Sequence, residues 1–141
     1  MKAMFKPIFS VLLVCSFLVF PSCTRDNTQI PFVAVDFTIN INEPAYFNLT
    51  AISGYEYVVG GSMGIVVYRN SFNEFTAMDR HSTYRVDDNC QVEVVDDILL
   101  EDPCSGSQWL LSDGSLINGP AEVALKQYNT VYNAPFLRIY N

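Results

Sequence analysis

The reactive side chains of this chain crowd into one stretch. Asp87, Asp88, Asp96, Asp97, Glu101 and Asp102 supply carboxylates, Cys90 and Cys104 supply sulfur, and Ser82, Ser105 and Tyr84 supply hydroxyls. Carboxylates that are buried and close can exchange protons with a substrate, and oxygen-rich groups can hold Ca²⁺. The acidic residues here match no calcium-loop spacing, so they read as a solvated rim. Two cysteines can cycle between thiol and disulfide, but this pair lacks the Cys-x-x-Cys spacing that tunes thiol reactivity. His81 is the sole histidine. One imidazole without a partner is weak ground for a metal site and reads as an exposed loop residue. The glycine cluster YVVGGSMG, Tyr57 to Gly64, lacks the following helix and Lys-Ser/Thr pair of a phosphate loop. It reads as a connection between strands.

Short strands must position these groups. No segment sustains a 3.6-residue apolar period; β-rich runs alternate with Gly, Asn, Asp and Pro. In Pro31–Ile41, Val33, Val35, Phe37, Ile39 and Ile41 share one face. Gly64–Asn70 is a compact apolar strand, Glu74–Arg80 follows a turn, and Gln91–Val95 alternates. Ser107–Ile117 predicts a hairpin turning at Asp113-Gly114. Leu125–Asn141 predicts two strands joined across Asn133-Ala134-Pro135, with Tyr128, Val131, Leu137 and Ile139 facing the core. The aromatic residues Tyr84, Trp109, Tyr128, Tyr132 and Tyr140 are expected mostly to pack inside. The fold class is all-β, with short antiparallel strands.

The chain has 141 residues and a formal net charge of −7, one domain's worth of sequence. Its basic residues are scattered, which argues against nucleic acid as a partner. The N-terminus reads as a targeting segment. Lys2 and Lys6 precede the apolar run Ile8–Phe20, too short to span a bilayer. LVFPSC, ending at Cys23, resembles a bacterial lipobox. The resemblance implies a signal peptide over 1–22, cleavage before Cys23, and a diacylglycerol on its sulfur that anchors the chain to a membrane. Residues 23–31 then form a polar tether and 32–141 the domain. Cys15 leaves with the peptide and Cys23 carries lipid, so Cys90 and Cys104 remain as an even pair in an oxidising compartment. A disulfide is expected; closing a loop of about 15 residues is worth roughly 3 kcal/mol in the chain-entropy model.

Two segments carry a further resemblance. AMDRHSTY, from Ala77, is similar to the first ligand loop of Rieske iron–sulfur domains, and DPCSGSQW, from Asp102, to the second. Asp113-Gly114, Gly119-Pro120-Ala121 and Leu125 follow as they do in that family. The resemblance covers about Gly64 to Asn141. It implies a Rieske-like antiparallel β-sandwich or barrel with a small subdomain of loops and short strands. In the family, two Cys and two His hold a [2Fe–2S] cluster. Here Ser82 and Asp102 stand at the cysteine positions, and Tyr84 and Ser105 at the histidine positions. No metal is therefore expected. The resemblance also implies that Cys90 and Cys104 correspond to an extra cysteine pair whose disulfide ties the two loops. Envelope lipoproteins of Bacteroidetes-type bacteria look similar, with variably degraded ligand sets.

The expectation is a non-enzymatic lipoprotein of the bacterial cell envelope, at the outer membrane or periplasm. It would be a structural or interaction module, with the membrane and an unidentified envelope protein as partners and no cofactor. The alternative is a redox protein using a Rieske-type [2Fe–2S] centre or a cycling Cys90–Cys104 pair.

Overall fold

A computed structural model describes residues 27–141. The signal segment, Cys23 and the first part of the tether lie outside the described residues. Among the described residues there are ten strands: β1 (Asp36–Asn40), β2 (Tyr55–Val58), β3 (Ile65–Arg69), β4 (Phe75–Asp79), β5 (Glu93–Val95), β6 (Leu99–Glu101), β7 (Gln108–Leu110), β8 (Leu116–Asn118), β9 (Gln127–Asn133) and β10 (Phe136–Tyr140). A 3-10 segment, Pro44–Thr50, links β1 to β2, and a shorter one, Val86–Asp88, precedes β5. Among the described residues, no helix is long and apolar enough to cross a membrane.

The strands form two antiparallel sheets. The larger is a half-barrel in the order β1-β10-β9-β4-β3-β2, and the smaller runs β5-β6-β7-β8. In sequence the small sheet is an insertion between β4 and β9. Those two strands still pair across it, Ala77 with Tyr128 and Met78 with Gln127. Both loops of interest leave or enter this insertion.

Two cores explain why β3 reads as continuously apolar. Ile65 and Val67 face the half-barrel interior with Ala77, Leu137 and Ile139. Val66 and Met78 face the other way, into a core shared with Val92, Leu100, Trp109, Leu111 and Leu125 of the insertion. A strand buried on both faces has no polar side to show. Trp109 is fully buried, and its indole N–H donates to the Val123 carbonyl at 2.9 Å.

The predicted hairpin at Asp113-Gly114 forms between β7 and β8, and Gly114 takes a positive φ of 67° in its turn. In and beside β1, Val35, Ile39 and Ile41 are buried around a partly buried Phe37, while Val33 stays exposed. Val131 corrects the predicted core. It is 44% exposed, whereas Tyr128, Leu137 and Ile139 are buried. Side chains alternate faces along a strand, so Val131, three residues from Tyr128, points the opposite way. Strands β2 and β6, four and three residues long, are too short to show a clear period and were not expected.

Arg69 at the end of β3 is 7% exposed. Its guanidinium donates to the carbonyls of Leu49, Thr50, Ser71 and Phe72 at 2.7–3.1 Å and lies over the rings of Phe75 and Tyr132. One side chain thereby satisfies the open carbonyls ending the 3-10 segment and those of the β3–β4 turn.

Candidate functional site: two loops closed on a buried carboxylate

The loop after β4 and the loop between β6 and β7 meet side by side. Asp102, just past β6, has no exposed surface. Its Oδ2 accepts from Ser82 Oγ at 2.7 Å and from Ser105 Oγ at 2.6 Å, and its Oδ1 accepts from the Cys104 backbone N–H at 2.8 Å. Ser82, also fully buried, accepts in turn from the Tyr84 N–H at 3.1 Å. Ser105 and Ser107 share a hydroxyl contact of 2.9 Å, and Ser107 Oγ accepts from the Ala121 N–H. A buried carboxylate without such donors would cost several kcal/mol; here each oxygen is met. Gly119 is required beside this knot, because a Cβ there would lie 2.4 Å from the Ser107 Cα.

Cys90 and Cys104 are joined in a disulfide, their Cα atoms 6.2 Å apart. Cys90 is 7% exposed and Cys104 lies at the surface. The disulfide bridges the same two loops that Asp102 holds together.

Three of the four singled-out positions, Ser82, Asp102 and Ser105, are thus in direct contact. Tyr84 joins only through its backbone N–H; its ring packs against the insertion's core. A Rieske-type cluster takes two thiolates and two imidazoles. This set offers hydroxyls, a phenol and a carboxylate, and the carboxylate and serine hydroxyls are already matched to one another. The residues do not fit the group.

The acidic rim is borne out for Asp87, Asp88, Asp96 and Asp97, which are exposed. Asp102 departs from it completely. Glu101 accepts from the Gln108 side-chain amide at 2.6 Å.

His81 is a second correction. It is 2% exposed, not a surface loop residue. Its Nε2 lies 2.8 Å from the Val86 carbonyl and its Nδ1 2.8 Å from Ser62 Oγ. A carbonyl only accepts, so Nε2 carries the proton and, in the neutral ring, Nδ1 accepts from the Ser62 hydroxyl. Beside it, Asp79 Oδ2 accepts from the Ser62 N–H at 2.7 Å and the Tyr128 hydroxyl at 2.6 Å, and Oδ1 from the His81 and Met63 N–H groups. Burial, then the hydrogen bond and charge of Asp79, push the Tyr128 phenol well above the ordinary tyrosine range.

Sequence reasoning passed over this second network. The available signal was the Gly-x-Ser-x-Gly spacing of Gly60, Ser62 and Gly64, which in other folds presents a nucleophilic serine. The arrangement has a serine, a base and an orienting carbonyl, and Ser62 and Arg80 line an open cleft of about 570 Å³. Acyl transfer also needs N–H donors for the developing oxyanion. The Ser62 and Met63 N–H groups beside the hydroxyl both donate to Asp79, so the network closes the β2–β3 loop rather than arming the serine.

The described end of the tether touches the same region. The Asn27 carbonyl accepts from the Val86 N–H at 2.9 Å, and Ile30 is buried. No family model matches this chain, and no curated protein matches it.

Proposed function

We propose that this protein is a lipid-anchored envelope protein with a Rieske-like fold that works without an iron–sulfur cluster, as a structural or interaction module and not as an enzyme. The observation that carries this reading is the Ser82–Asp102–Ser105 knot. It lies where the two loops resemble cluster-ligand loops, and it supplies by hydrogen bonds the loop-to-loop tie that a bridging metal centre otherwise gives. The Cys90–Cys104 disulfide adds a covalent tie. The four-stranded insertion between β4 and β9 suits the same reading, since the two loops that touch lie at its start and within it.

The test is iron and acid-labile sulfide content, with the visible spectrum, of the full chain extracted from membranes in detergent without oxygen. The expected protein is colourless and free of both elements, with a mass that includes a diacylglycerol on Cys23. Near-stoichiometric iron and sulfide with visible absorbance would return it to electron transfer. An unmodified Cys23 would remove the anchor from the proposal.

A further inference from the structure

The Cys90 and Cys104 sulfurs and a carboxylate oxygen of Asp102 all lie within 4.8 Å of one another. In the oxidised protein the sulfurs are bonded to each other and offer no thiolate. We propose that reduction of this disulfide creates a binding site for one thiophilic divalent cation of the Zn²⁺ class, held by the thiolates of Cys90 and Cys104 and the carboxylate of Asp102. The loops would then be tied by a disulfide in one redox state and by a metal in the other. This rests on the reading that the same loops hold no iron–sulfur cluster.

Geometry supports the exchange. Zinc bonds of about 2.3 Å to sulfur and about 2.0 Å to oxygen place tetrahedral ligands roughly 3.3–3.8 Å apart. The sulfurs must part, and the carboxylate oxygen, within 4.8 Å of both, must close by about 1 Å on that geometry. The donors stay in place once the S–S bond is gone, because other bonds hold each loop. Ser82 N–H donates to the Cys90 carbonyl at 2.8 Å and Val92 N–H to the Arg80 carbonyl at 2.7 Å. On the other loop, Cys104 N–H is held by Asp102 Oδ1 and Gly106 N–H by the Asp102 carbonyl. Ser82 and Ser105 orient the carboxylate, as outer partners do for metal-ligating carboxylates. Thiolate with carboxylate suits Zn²⁺ over Mg²⁺ or Ca²⁺.

Access decides how reduction proceeds. Cys104 is exposed and Cys90 is not, and exposed disulfides are the labile ones. A thiolate of a dithiol reductant attacks Cys104 Sγ, the S–S bond breaks, and Cys90 leaves as a thiolate. The reductant's second thiolate then attacks the mixed disulfide and releases the Cys104 thiolate, so the reductant ends oxidised by two electrons. Any proton on either sulfur is released to solvent as the cation binds.

The test uses the full chain in detergent with Cys15→Ala and Cys23→Ala, which leaves Cys90 and Cys104 as its sole cysteines. It is reduced with a phosphine, freed of reductant without oxygen, and titrated with Co²⁺ alone. One equivalent is expected to bind with a near-ultraviolet thiolate-to-cobalt band and intense tetrahedral visible bands, while the oxidised chain shows neither. Asp102→Asn is expected to weaken binding ~10-fold or more. Bound Co²⁺ is also expected to shield both thiols of the Asp102-intact chain from iodoacetamide, a readout that holds even if Asp102→Asn does not fold. The proposal is overturned if no thiolate band appears, if the oxidised chain binds equally, if folded Asp102→Asn binds equally, or if Co²⁺ leaves alkylation unchanged. Iron and sulfide in the untreated protein would instead overturn the scaffold reading.

Discussion

Ser82 and Asp102, twenty positions apart in sequence, meet with a 2.7 Å hydrogen bond in which both side chains are fully buried. Removing the carboxylate strands the buried Ser82 hydroxyl and takes an acceptor from the part-buried Ser105 hydroxyl and Cys104 N–H. Asp102→Ala is expected to lose about 3 kcal/mol or more in urea unfolding, since each stranded buried donor costs about 1–3 kcal/mol. Ser82→Ala leaves Asp102 Oδ2 its Ser105 donor and strands only the Tyr84 N–H, and should lose about 1–2 kcal/mol. Equal losses for the two variants would show that Asp102 is not the hub.

Arg69 tests a different part of the fold. Its planar fork meets four carbonyls at once, a geometry that a lysine ammonium cannot reproduce. Arg69→Lys is expected to cost about 2 kcal/mol or more, measured as a shift of the denaturation midpoint at unchanged slope. A midpoint within error of the parent would mean that these carbonyls are satisfied by water.

Much of the fold was legible in the sequence, but the networks were not. Alternation exposed β1, and the Asp-Gly pair exposed the β7–β8 hairpin, because both signals are local. Val131 was misplaced by counting apolar residues instead of faces. Ser82, Asp102 and Ser105 were found through motif position, and sequence showed that they lack sulfur and imidazole. It gave no sign that they bond to one another, since that depends on how two loops of different strands pack. His81 looked exposed because its partners, Ser62 and the Val86 carbonyl, announce themselves by no pattern near it. Burial of a polar side chain is a property of the tertiary fold, not of the segment that carries it.

Tyr128 gives a pH-dependent prediction. Its phenol is held neutral chiefly by burial and further by Asp79. A pKa raised in the folded state means that the neutral phenol stabilises the fold. That contribution is complete below the ordinary tyrosine value of about 10 and is lost as pH rises through the higher folded value. Tyr128→Phe is expected to cost about 1.5–3 kcal/mol at pH 7 and to flatten the decline of stability above pH ~10. Parallel alkaline limbs for parent and variant in denaturant titrations would contradict it.

Four exchanges test whether these two loops can present ligands to one centre. If Ser82, Tyr84, Asp102 and Ser105 stand where a Rieske-type cluster is held, then Ser82→Cys, Tyr84→His, Asp102→Cys and Ser105→His together supply two thiolates and two imidazoles. The exchange also deletes the buried charge that the hydroxyls now satisfy, so the apo variant should be less stable than the parent and should gain stability with metal, as coupled binding and folding requires. Reconstitution with iron and sulfide under reducing but disulfide-sparing conditions is expected to give a coloured protein whose paramagnetic resonance shows mixed sulfur and nitrogen ligation. The three-position variant that keeps Tyr84 should stay colourless, because it lacks the second imidazole that such a cluster takes. A folded four-position variant that takes up no iron would mean that the two loops, although adjacent, do not present these positions to a common centre, and the resemblance in sequence would then extend to the turns alone.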